Sequence, residues 1–125
     1  MTNPELIQSL TDVLIGMDPV TNFGAILVVE DPFIRRYVQR ILDRENRQTL
    51  QAEAQHGVAM LAAHYAEISL VITNNPTAFA ASPDIPLIYV ATSPDPSLIA
   101  GFRSCRVLKK PFLPEDLLEA VHALS

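Results

Sequence analysis

Three apolar runs punctuate the chain: Ala25-Ile26-Leu27-Val28-Val29, Ile68-Ser69-Leu70-Val71-Ile72-Thr73 and Pro86-Leu87-Ile88-Tyr89-Val90-Ala91. The first two are rich in β-branched residues, and each run stops at turn formers: Glu30-Asp31-Pro32, Asn74-Asn75-Pro76 and Thr92-Ser93-Pro94. Runs of this length and bounding predict strands of a parallel sheet that is buried on both faces. Thr49-Leu50-Gln51-Ala52-Glu53-Ala54 alternates instead, as a half-exposed strand at a sheet edge does. Arg106-Val107-Leu108-Lys109 supplies a fifth strand.

Between the strands the period changes to that of a helix. From Pro32 to about Arg44, the residues Phe33, Ile34, Tyr37, Val38, Ile41 and Leu42 form one broad apolar stripe, with Arg35, Arg36, Arg40 and Arg44 on a solvated face. Asp31 suits the N-cap of this helix. Gly57 to Tyr65 predicts an alanine-rich helix with Val58, Leu61, Ala62 and Tyr65 inward. Pro114 opens a last helix through Leu117, Leu118, Val121 and Leu124, and Glu115 and Asp116 favour its positive end. Residues 4–16 predict one more helix in front, capped by Asn3, with a stripe of Leu6, Leu10, Val13 and Leu14, Ile7 beside it, and an end at Gly16. Residues 17–24 read as its connector.

Alternating strands and helices imply an α/β fold with right-handed crossovers. Residues 1–24 are expected to form a helix and connector, and residues 25–125 the α/β domain. Two connections are short. Asn74 to Ile85 is at the dozen residues or so that a helical crossover needs, so its helix is expected to be reduced to a turn or lost. Ser97 to Phe102 allows only a short helix. Such a loss predicts apolar surface around Val71, Leu87 or Ile88, and Tyr89. The N-terminal helix is expected to cover it, within its own chain or across a homodimer.

Composition narrows the function. The chain has 125 residues, 49% hydrophobic and 18% charged, with a net charge of -5. That balance gives no reason to expect nucleic-acid binding. A single cysteine, Cys105, precludes an internal disulfide and suits a reducing compartment. No apolar run approaches the roughly 18 residues of a membrane span, and Met1-Thr2-Asn3-Pro4-Glu5 lacks the basic start of a signal peptide. The expected location is the cytoplasm, with no membrane partner. The four glycines, Gly16, Gly24, Gly57 and Gly101, are isolated, so no phosphate-cradling loop is present, which argues against nucleotide or flavin binding. His56 and His64 lack a metal-ligand spacing and join no acidic cluster.

Ile26-Leu27-Val28-Val29-Glu30-Asp31-Pro32 with Ile34-Arg35, the strand Leu70-Val71-Ile72, the strand Pro86–Val90, and Val107-Leu108-Lys109-Lys110-Pro111-Phe112 occur in an order that resembles a response-regulator receiver domain of two-component signalling. The resemblance covers about residues 25–124. It implies a flavodoxin-like, doubly wound five-stranded parallel sheet of order 2-1-3-4-5 and a cis Lys110–Pro111 bond. In such domains an aspartate after the third strand accepts a phosphoryl group, an acidic pair after the first strand helps it hold magnesium, and a Ser or Thr after the fourth strand and a lysine contact the phosphoryl group. Carried over by position, the acidic pair is Glu30 and Asp31 and the lysine is Lys110, followed by Pro111. The acceptor position is Asn74. The hydroxyl position is Ala91, with Thr92 next to it, and the aromatic switch position on the fifth strand is Val107.

An aspartate carboxylate is a nucleophile that forms an acyl phosphate, whereas a neutral amide is a poor one and adds no charge to a metal site. The resemblance therefore implies a degenerate receiver, or pseudo-receiver. It would be no enzyme, would need no cofactor beyond weakly bound Mg2+ at Glu30 and Asp31, and would meet a signalling protein or a second copy of itself. A plainer role for Lys110 is an ion pair with Asp31, and for Asn74 a loop cap. The alternative is a phospho-accepting switch with an unusual site. A small-ligand-binding flavodoxin-like domain and phosphotransfer by His64 or His122 fit the pattern less well.

Overall fold

The structure, a computed structural model, describes residues 24–124. The helix expected over residues 4–16, nearly all of its connector and the covering role assigned to it lie outside the described residues. The described elements are β1 (Ala25–Val29), α1 (Pro32–Asp43), β2 (Thr49–Ala52), α2 (Ala54–Ala63), β3 (Ile68–Thr73), β4 (Leu87–Ala91), β5 (Cys105–Lys109) and α3 (Pro114–Leu124), with short 3-10 turns between some of them. The strands form one parallel sheet in the order β2-β1-β3-β4-β5. This is the flavodoxin-like order that the family resemblance implies.

All five residues of β1 are buried. Because side chains alternate along a strand, Ile26 and Val28 enter the core on one face while Leu27 and Val29 enter the core on the other. Both faces must therefore be covered. On the first face α1 contributes Val38, Ile41 and Leu42, and α3 contributes Leu117, Ala120 and Val121. On the second face α2 brings Leu61. Its Gly57 lies so close to β1 that an added Cβ would meet Val29 Cγ2 at 2.6 Å.

The third crossover is reduced, as expected, to a 3-10 turn at Pro76–Phe79, and the fourth to one at Pro96–Ile99. The exposed surface predicted to follow from this is not there. Val71, Leu87 and Ile88 are fully buried, and Tyr89 nearly so. Single rings stand in for helices: Phe79 and Phe102 pack with Ile85 over β3 and β4. The buried Tyr89 hydroxyl accepts the Asp95 N–H at 3.2 Å. Asp95 caps the fourth turn, accepting the Ser97 hydroxyl at 2.7 Å and the Ser97 N–H at 3.0 Å. Those two bonds, the hydroxyl's first, hold its carboxyl below the usual aspartate range.

Several placements differ from the sequence reading. α2 starts at Ala54, three residues early, and buries Gly57 and Leu61. Val58 is exposed and Ala62 is on the surface, because the close seam at Gly57 turns their side of the helix outward, and Tyr65 is exposed because α2 stops at Ala63 and leaves it in a short 3-10 turn. Phe33 is not in the core but 72% exposed. At about 100° per residue it lies well away from Ile41, Val38 and Leu42. Arg35 is half-buried rather than solvated. α1 closes at Arg44, and Asn46 takes φ 57°, which asparagine tolerates better than most residues, on the way into β2. β5 is an edge strand with Arg106, Val107 and Lys109 exposed. Among the described residues, no helix is long and apolar enough to cross a membrane.

Since Phe79 replaces a helix, Phe79→Ala should cost about 3–5 kcal/mol, a large share of the roughly 5–15 kcal/mol typical of a domain. Urea unfolding measures this. A loss under about 1 kcal/mol, the size of an ordinary substitution, would mean that the cover comes from elsewhere.

Candidate functional site

In open α/β sheets the crevice outside the carboxyl ends of the strands is where ligands bind. Here those ends deliver Glu30 and Asp31 after β1, Asn74 after β3, Ala91 and Thr92 at and after β4, and Lys110 after β5. The polarity of a parallel sheet puts them at one edge.

The acidic pair is split. Glu30 is buried and Asp31 exposed. Asp31 Oδ1 accepts the Ile34 N–H at 3.0 Å and caps α1, as the sequence predicts. Glu30 Oε1 accepts the Asp31 N–H at 3.1 Å. Lys110 Nζ lies 3.3 Å from Glu30 Oε1 and 3.0 Å from Oε2. Only the first contact has hydrogen-bond geometry, so Oε2 is held by charge alone. The ion pair expected between Lys110 and Asp31 is thus made with Glu30 instead. The reason is the alternation of the extended chain, which sends successive side chains to opposite sides.

Lys110 is held in place from both directions. Its N–H donates to the Ala91 carbonyl at 2.9 Å. The bond to Pro111 is cis, as the family resemblance implies. The next residue, Phe112, accepts the Tyr37 hydroxyl on its carbonyl at 3.0 Å, and the two rings sit 5.6 Å apart at 57°.

Asn74 is exposed, and among the described residues its amide has no hydrogen-bond partner. It is not the cap of its loop. That work falls to its neighbours: the fully buried Thr73 accepts the Asn75 N–H on its hydroxyl at 3.0 Å, and Asn75 Oδ1 accepts the Thr77 hydroxyl at 2.9 Å. Val107 is 42% exposed on β5, in register with Tyr89. Among the described residues no three His, Cys, Asp or Glu side chains gather.

Beside the Lys110 pair an open hollow of about 410 Å3 is lined by Phe33, Ile34, Tyr37, Thr92, Lys110, Pro111 and Phe112. The sequence reading placed Thr92, Lys110 and Pro111 here but put Phe33 and Tyr37 in the core stripe. The one available hint was that Phe33 directly follows Pro32 in the first helical turn, where a helix rises past the end of its sheet.

No family model matches the chain, and no curated protein matches it. Solved structures do. The signal receiver domain of an HD domain-containing protein from Pseudomonas fluorescens is 27% identical, covers 88% of this chain and 93% of its own, and superposes with a TM-score of 0.69. The chemotaxis protein CheY4 of Vibrio cholerae is 19% identical over 82% of this chain and 99% of its own, with a TM-score of 0.68. A signal receiver domain of a two-component histidine kinase from Clostridium thermocellum is 16% identical over 81% and 96%, with a TM-score of 0.67. The structural neighbours are therefore signal receiver domains of two-component systems, and the chain has their fold.

The Glu30–Lys110 pair yields a measurable coupling. Lys110→Met leaves the buried Glu30 carboxylate unpaired and should cost on the order of 3 kcal/mol. Adding Glu30→Gln should recover about half of that loss or more, because the orphaned charge is gone. Equal, additive losses in a urea double-mutant cycle would show that the two groups do not interact.

Proposed function

We propose that the chain is a pseudo-receiver: a receiver-like module of bacterial two-component signalling that accepts no phosphoryl group and works as a phosphorylation-independent docking or dimerisation partner in the cytoplasm. The observation that carries this reading is Asn74, exposed at the carboxyl end of β3 where the resemblance puts the acceptor aspartate. Its amide lacks the nucleophilic oxygen pair that forms an acyl phosphate. Two further features agree. Ala91 has no hydroxyl to offer at the end of β4, and the Lys110 ammonium is already engaged by Glu30 at 3.0 Å. On this reading the module is a binder rather than an enzyme.

Magnesium fits the donor set poorly. Of the carboxylates, Asp31 caps a helix and Glu30 is paired with a lysine, while the third position of the cluster is an amide. Magnesium demands a near-ideal octahedron of oxygens and sheds water reluctantly, so at most weak binding is proposed. Calorimetric titration should show no saturable site at about millimolar Mg2+, and a tight site would mean that a further oxygen ligand completes the octahedron.

The decisive experiment is incubation with acetyl phosphate and Mg2+ followed by intact-mass measurement. The mass is expected to stay unchanged. A stoichiometric, base-labile adduct on any aspartate would overturn the reading in favour of a phospho-accepting switch with an unusual site. Asn74→Asp is expected to restore weak acceptance at most, since Ala91 still lacks the hydroxyl.

A further inference from the structure

We infer that an open hollow at the carboxyl end of α2 is the seat of residues 4–16 of the same chain, with the stripe of Leu6, Leu10, Val13 and Leu14 turned into it. Those residues lie outside the described ones. The hollow measures about 600 Å3 and has Ala25, Leu50, Met60 and Ala66 as its apolar lining. Leu50 and Met60 are half-buried, packed on the second core and open to the hollow. Two polar groups of the lining, His64 and Glu67, already satisfy each other at 2.8 Å. An apolar surface of this kind is covered or used. The strands at the middle of the sheet make no such demand, since Val71, Leu87 and Ile88 are buried without it.

The point where the chain enters the domain favours this seat. Gly24 itself borders the hollow, and an added Cβ there would meet the Glu67 carbonyl oxygen at 2.7 Å. The segment is therefore delivered at the lip of the hollow, against the turn that follows α2. Residues 17–23 span at most about 24 Å when extended. α2 is about 15 Å long, so the whole helix is within reach of the stripe. A tethered segment binds at a high effective concentration and is spared most of the cost of association, so no second molecule is needed.

Charge selects α2 among the helices. At about 100° per residue, Glu5 and Asp12 fall on the side of the segment away from Leu10. With the stripe packed down they face water and cannot reach a cation beneath it. α1 turns Arg36 and Arg40 outward, neither in an ion pair among the described residues. A stripe laid over them would bury guanidinium groups without partners. α3 carries Glu115, Asp116 and Glu119 and presents the same difficulty. α2 has no Lys, Arg, Asp or Glu at all, so covering it desolvates no charge.

The test is made on the full chain with Cys105→Ser and two new cysteines, Leu10→Cys and Met60→Cys, under oxygen with copper phenanthroline. A disulfide within one chain is expected, read by intact mass as a monomer that has lost two hydrogens. It should form about tenfold faster than when Asp12→Cys replaces Leu10→Cys, because a seated segment offers one face only. Leu10→Cys with Phe33→Cys, the comparison on α1, should link slowly. A second measurement needs no cysteine: Leu6→Asp with Leu10→Asp should raise amide hydrogen exchange over residues 60–67 and leave α3 unchanged. Equal linking from positions 10 and 12, faster linking to Phe33→Cys than to Met60→Cys, or unchanged exchange over residues 60–67 would overturn the inference. A disulfide that joins two chains would overturn it in favour of a second copy as the occupant.

Discussion

Everything in this domain depends on covering a sheet that is apolar on both sides. β1 and β3 sit at its centre, and of their residues only Ser69 is not buried. Each exposed square ångström of such a surface costs about 25 cal/mol, so an uncovered face is not an option for a domain of this size. The chain meets the demand unequally. One face lies under two α-helices, and the other has one helix and the rings of Phe79 and Phe102. A ring on a short turn covers strands that a longer crossover would cover with a whole helix. The domain saves residues this way, at the cost of concentrating its second core in a few side chains.

The same constraint explains what the sequence disclosed. Strands buried on both faces leave an unbroken apolar signature, so β1, β3 and β4 were legible with the flanking turns that end them. α1 and α3 were legible from their period and caps, and the shortened crossovers from simple residue counts. The misreadings share a cause: each required knowing which neighbour a side chain would meet. Val58 looks like a core residue until Gly57 brings α2 against Val29 and turns it outward, and Tyr65 does until the helix stops at Ala63. Phe33 belongs to the stripe by composition, but the buried seam runs through Val38, Ile41 and Leu42. Phe79 lies in a crossover expected to shrink to a turn and Phe102 at the end of an expected short helix, and nothing local reveals that they fold back.

The crevice was legible in position and only partly in wiring. Its members follow from where apolar runs stop. Their pairing does not, because adjacent carboxylates in a sequence look alike. In three dimensions they point opposite ways: Glu30 turns inward to Lys110, eighty positions away, while Asp31 turns outward to its own helix. The result is a crevice in which Glu30 and Lys110 neutralise each other, with an uncharged Asn74 at its lip. The unneutralised charge lies outside it, along α1.

β5 closes the sheet on one side with an unpaired edge, and such edges invite a second molecule to continue the ladder. Here the edge carries Arg106 and Lys109, both exposed, with Lys110 just beyond. Two copies aligning this strand with itself would bring like charges together along its length. That repulsion disfavours a second copy continuing the ladder at this edge.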